Sequence, residues 1–326
     1  MLTEQGRLCR PPFDPELAAA LPGLPKVVTT FNREQLPELR EFMSASRLTT
    51  DQLTRGGNVI VSERTVPGTS TSAPEITLLI LTPREHKNSR PAIYHIHGGG
   101  MVSGDRYSLP PEAPSWVEDL GVVLVSVEYR LAPEHPYPAP VEDCYAGLVW
   151  LATHADELGI DKEKLAILGL SAGGGLAAAV ALLARDRGGP VLTHQFLGCP
   201  MIDDRGITHS SQELDGEGSW DRTSNQTGWD ALLGDRAQRS DVPYYAAPAR
   251  AEDLSGLPPT FIDVGQAETF RDESITYAAR LSRAGVPVEF HMWPGGFHGF
   301  AQGVPHAPVS RAANSAIRDA LERAFR

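Results

Sequence analysis

The sequence predicts an α/β fold: a mainly parallel eight-stranded sheet flanked by helices on both faces. Three observations lead there. From residue 91 onward, short apolar runs alternate with helical stretches, the pattern of strands joined by crossover helices. Runs such as Val122-Val123-Leu124-Val125 lack polar alternation, which suits strands buried on both sides. A chain of 326 residues, 41% apolar, is long enough to bury a large core.

The elements follow in order. Residues 1–50 are rich in proline and short apolar groups and read as an N-terminal cap segment. Asp14-Pro15-Glu16 predicts a short helix to about residue 21, with Asp14 as N-cap and Pro15 at the first helical position. Residues 32–47 carry Leu36, Leu39, Phe42 and Met43 at helical spacing, and Pro37 suits that helix if Asn32 is not its true start. Strands over 58–66 and 75–81 flank turn residues at 69–74, which predicts an antiparallel hairpin. Six further strands are expected at 92–96, 122–127, 165–168, 194–197, 260–264 and 287–293, with helices at 139–158, 176–184 and 272–284. The polar stretch 203–245 is too long for an ordinary connection. It reads as an inserted cap, helical over 224–233, with Trp220 and Trp229 for packing.

Two motifs sit at strand ends. Gly169-Leu170-Ser171-Ala172-Gly173 lies between an apolar run and an alanine-rich helix, the setting of a strained strand-to-helix turn that exposes a nucleophilic serine. With 31 glycines, such a pentapeptide arises by accident in about one chain in six, so alone it is weak. His97-Gly98-Gly99-Gly100 follows the strand at 92–96, and chance supplies it in about one chain in a hundred. Its backbone N–H groups suit an oxyanion hole, where fixed donors stabilise charge on a carbonyl oxygen. The N–H of Ala172 is the third expected donor. His97 reads as a residue that holds this loop.

These motifs closely resemble the hormone-sensitive-lipase-like family of α/β-hydrolase esterases. Glu128-Tyr129-Arg130-Leu131-Ala132-Pro133-Glu134-His135-Pro136-Tyr137-Pro138-Ala139 and Trp293-Pro294-Gly295-Gly296-Phe297-His298-Gly299-Phe300 resemble further stretches of that family. The resemblance covers residues from about 55 to 326 and implies an α/β-hydrolase catalytic domain over 51–326. It also implies a Ser-acid-His triad in that chain order. His298 stands where the family places its base; His291 reads as structural and His306 as the fallback. Many members carry Asp-Pro-Leu-Arg-Asp where this chain has Glu268-Thr269-Phe270-Arg271-Asp272. Glu268 is therefore assigned as the acid, one methylene longer than the usual Asp, with Asp263 and Asp272 as alternatives.

The resemblance implies a serine carboxylesterase acting on short-chain esters without metal or cofactor. Amidase, peptidase or lactonase chemistry is the alternative, because a triad alone does not separate ester from amide. A non-catalytic ligand-binding member is a third reading, set back by the presence of Ser171, Glu268 and His298. The formal charge of −12, with no basic block, argues against nucleic acid as a partner. No run of about 18 apolar residues predicts a membrane span. The first seven residues lack an apolar core, which predicts no secretory signal. Three cysteines, Cys9, Cys144 and Cys199, suit free thiols in a reducing cytoplasm. A small-molecule ester is the expected partner, with a homodimer left open.

Overall fold

The computed structural model describes residues 9–68, 73–85, 89–237 and 239–326. Eight strands form one sheet: β1 (Val59–Val66), β2 (Ile76–Pro83), β3 (Arg90–Ile96), β4 (Val123–Glu128), β5 (Ile160–Leu170), β6 (His194–Gly198), β7 (Thr260–Gly265) and β8 (Val288–Trp293). Their spatial order is β1-β2-β4-β3-β5-β6-β7-β8. The hairpin expected from the sequence is present: β1 pairs antiparallel with β2 in unbroken register from Val59↔Pro83 to Val66↔Ile76. Most of its expected turn, residues 69–72, lies outside the described residues. β2 also runs antiparallel to β4, and from β4 to β8 the sheet is parallel.

Strand side chains alternate between faces, so adjacent residues enter different cores. Leu78 and Ile80 join one cluster while Leu79 and Leu81 join the other. The first cluster takes Leu148 and Leu151 of helix Ala139–Thr153, Leu176 and Val180 of helix Ala172–Arg187, and Tyr277 and Leu281 of helix Arg271–Arg283. The second takes Trp116 and Val117 of helix Ala113–Leu120, and Ile317 and Leu321 of helix Pro308–Ala324. The sheet is thus covered on both faces, as its apolar runs require. Helix Ala172–Arg187 is buried along its first thirteen residues, Ala172 to Ala184.

The N-terminal residues follow their caps. Asp14 accepts from the N–H groups of Glu16 and Leu17 and opens helix Pro15–Ala20. The helix expected over 32–47 is split: a 3₁₀ turn at Arg33–Gln35 precedes helix Leu36–Ala45. Asn32 and Gln35 form a capping box, and Pro37 falls in the first turn, where its missing N–H costs nothing. Within 203–245, helices form at His209–Glu213 and Arg222–Leu233. This insertion is joined to the N-terminal segment. The Asp221 N–H and the Ser224 hydroxyl donate to the Thr29 carbonyl, and the Thr227 hydroxyl donates to the Phe31 carbonyl. No helix among the described residues is long and apolar enough to cross a membrane.

Candidate active site

Four neighbouring strands deliver the site at their C-terminal ends. Ser171 follows β5, Cys199 follows β6, Glu268 lies three residues past β7, and His298 lies in the loop after β8. Residues distant in sequence meet because parallel strands align their ends, the usual place for a site in such sheets.

Ser171 sits at φ 58°, ψ −123°, between β5 and helix Ala172–Arg187. That is strained backbone for a residue with a Cβ. Hydrogen bonds hold it from both sides: its N–H donates to the Gly198 carbonyl (2.8 Å), and its carbonyl accepts from Met201 and Gly175 (both 3.0 Å). A Cβ on Gly169 would collide with the Gly173 carbonyl, and one on Gly173 with the Ile96 carbonyl. The turn therefore closes only with glycine at both places.

The structure brings the three sequence-assigned side chains together. His298 Nε2 lies 2.9 Å from Ser171 Oγ, and His298 Nδ1 lies 3.1 Å from Glu268 Oε2. Glu268 is fully buried and Ser171 nearly so. The imidazole stands edge-on to Phe270, with ring centroids 5.0 Å apart. The Ser219 hydroxyl donates to the His298 carbonyl and ties the loop to the insertion.

The other candidates lie elsewhere. Asp263 accepts from the Trp293 indole N–H at 3.1 Å, and burial pushes its carboxyl up to about 6. Asp272 accepts from the Ser210 N–H at 2.8 Å and pairs with Arg271. His291 pairs with Glu289 and stacks on Trp293, and His306 is exposed. His97 is buried, stacks on Tyr129 at 4.1 Å, and its carbonyl accepts from the Tyr129 hydroxyl. Burial pushes its imidazole down, so the ring stays neutral.

The glycine loop runs beside the serine. A Cβ on Gly98 would come within 2.9 Å of the Leu170 carbonyl and 3.4 Å of the Ser171 Cβ. Gly99 and Gly100 have φ of 105° and 65°. Val102 and Ser103 fold back to donate to the Gly99 carbonyl. Ala172 opens a sixteen-residue helix, whose N-terminal dipole favours negative charge.

Trp220, read from the sequence as a packing residue, and several unforeseen contacts support the site. Trp220 lies against Gly100, 5.3 Å from Phe31 and 6.1 Å from His298 by ring centroids. The Thr269 hydroxyl donates to the Trp220 carbonyl. Arg271 donates to the Gln266 carbonyl and to Glu213, clamping the loop that carries Glu268. These contacts join segments far apart in sequence and leave no local pattern. Cys199, read as an ordinary thiol, stands at the site because it follows β6.

A family model described as the alpha/beta hydrolase fold matches residues 93–302. The chain belongs to the α/β-hydrolase family, in its hormone-sensitive-lipase-like branch of esterases. It is 32% identical over 327 residues to carboxylesterase NlhH of Mycobacterium tuberculosis, covering 98% of each chain. It is 42% identical over 108 residues to mouse (Mus musculus) hormone-sensitive lipase, 32% of this chain and 14% of that one. A solved bacterial heroin esterase superposes with a TM-score of 0.88 at 40% identity, covering 96% of this chain and 98% of the other.

Proposed function

We propose that this chain is a serine carboxylesterase that hydrolyses short-chain carboxylic esters through an acyl-enzyme. The observation that carries the reading is the continuous relay from Ser171 Oγ through His298 to buried Glu268, at 2.9 and 3.1 Å. Carboxylesterase relatives over the full chain length support it.

The relay assigns roles. A serine hydroxyl is a weak nucleophile until a base takes its proton. His298 Nε2 accepts that proton as Ser171 Oγ attacks the ester carbonyl. Glu268 holds the Nδ1–H and stabilises the imidazolium. Charge gathers on the carbonyl oxygen, and the N–H groups of Gly99, Gly100 and Ala172 receive it. Each such donor lowers the barrier by about 3 kcal/mol. His298 then gives its proton to the departing alcohol. Water, activated by the same imidazole, releases the acid. The N-terminal segment and the 203–245 insertion serve as the cap over this centre. Trp220, held against Gly100, limits room beside the oxyanion loop and supports the short-acyl preference.

Hydrolysis of p-nitrophenyl acetate tests the reading. Ser171→Ala is expected to lower kcat by about 10⁴-fold or more with the fold retained. Turnover at the normal rate in that variant overturns the assignment. Amides of the same acyl groups, run beside the esters, separate this reading from an amidase.

A further inference from the structure

We propose that Cys199, Glu268 and His298 together form an inhibitory site for a thiophilic divalent cation, represented by zinc. The proposal rests on the triad reading above, because the cation would use two of its members.

One donor atom from each residue lies within 4.8 Å of the other two. Tetrahedral zinc with sulfur, nitrogen and oxygen ligands sets donors about 3.3–3.6 Å apart, so closure needs movements of about 1 Å. The donor set suits zinc: a thiolate, an imidazole and a carboxylate, with a fourth position left for water.

A second observation points to a ligand. Glu268 is fully buried, yet among the described residues only its Oε2 has a partner, the His298 ring. Its other oxygen, Oε1, is buried and accepts no hydrogen bond from the described residues. A buried carboxylate oxygen without a partner is costly, and a cation would satisfy it. Cys199 is also held at φ 35°, unusual for a non-glycine residue. Its N–H donates to the Asp263 carbonyl at 2.6 Å. Burial, then the charges of Glu268 and Asp263, pushes its thiol well above the ordinary value. A divalent cation reverses that trend by favouring the thiolate.

The chemistry explains inhibition. His298 Nδ1 is the nitrogen that faces Glu268. When the cation takes Nδ1, the ring's single proton moves from Nδ1 to Nε2 by exchange with solvent, and the thiol loses its own. One net proton leaves to solvent as the metal–nitrogen and metal–sulfur bonds form. The neutral metal-bound ring then carries its only proton on Nε2. That nitrogen donates to Ser171 and can no longer accept from it, so the base is lost while the serine stays intact.

The test uses the purified full chain, stripped with a chelator, in a Cys9→Ser background because Cys9 is exposed. Cobalt(II) serves as the spectroscopic probe and zinc as the inhibitor. A thiolate-to-cobalt charge-transfer band is expected in that background and in added Ser171→Ala, but not in added Cys199→Ser. Zinc should inhibit ester hydrolysis reversibly, with full recovery on chelation. Loss of even an outer-shell partner of a metal lowers affinity about 10–100-fold. Cys199→Ser should therefore raise the half-inhibiting zinc concentration, measured against its own zinc-free rate, by about tenfold or more. No band with Cys199 present, or equal zinc sensitivity with and without that thiol, overturns the site. Retained turnover in Ser171→Ala with the band present overturns the Ser171 triad reading and leaves the metal site standing.

Discussion

At Ser171, φ of 58° places a side chain where few residues other than glycine settle. The strain aims Oγ at His298, and flanking backbone bonds hold it there. Glu268 can then be tested apart from its neighbours. Glu268→Gln keeps the shape but loses the charge that stabilises the imidazolium, so kcat should fall by about 10³-fold or more with little change in melting temperature. Asp263→Asn should retain most activity, since Asp263 contacts Trp293 rather than the base. Its effect should appear in stability. The Asp263 carboxyl rises to about 6 in the fold through burial, against about 4 in an unfolded chain. A raised acid contributes full stability below pH 4 and loses it as pH climbs through 6. Melting curves should show wild type and Asp263→Asn converging near pH 4, with the variant the more stable at pH 7. Equal gaps at both pH values would contradict this account.

Elements carry the next level. The elbow works because a strand and a helix approach to glycine distance. Gly173→Val would drive a side chain into the Ile96 and His97 carbonyls, so it should abolish soluble expression or activity. Trp220 joins three elements: the glycine loop at Gly100, the N-terminal segment through Phe31, and the loop of His298. Trp220→Ala should cost about 3–5 kcal/mol in chemical denaturation. It should also shift preference toward longer acyl chains, read as the ratio of kcat/KM for decanoate and butyrate esters. An unchanged ratio would remove Trp220 from the pocket.

The eight strands were legible because apolar runs and turn chemistry are local. Their edges were not: β5 extends to eleven residues, beginning at Ile160, although its first turn of sequence is charged. Helix Pro308–Ala324 went unread, though Ala313, Ile317, Ala320 and Leu321 mark its buried stripe. Ser171 and the glycine loop announce themselves because their motifs are contiguous. Glu268 and His298 needed the family resemblance, since nothing local marks a carboxylate that meets a ring thirty residues away. The clamp from Arg271 to Glu213 and the placement of Cys199 needed the coordinates, because strand order alone makes them neighbours.

The whole molecule adds a field and a covering. A charge of −12 repels anions over roughly a Debye length. An ester bearing a carboxylate should therefore show kcat/KM rising with added salt, while a neutral isostere stays nearly flat. Parallel slopes would show that net charge has no part in substrate entry. Arg40 fastens the N-terminal segment to the body, donating to the Val102 carbonyl at 2.7 Å and pairing with Glu134. The convergence of strand ends brings three residues dispersed in sequence, Ser171, Glu268 and His298, within hydrogen-bond distance of one another, the centre proposed above.

The most direct measurement of that convergence is active-site labelling with a fluorophosphonate, followed by intact mass and peptide mapping. One adduct per chain is expected, on Ser171, with ester hydrolysis lost in proportion to labelling and slow labelling in Glu268→Gln. Full labelling of Ser171 with hydrolysis undiminished, or inactivation with the adduct on another residue, would contradict that expectation.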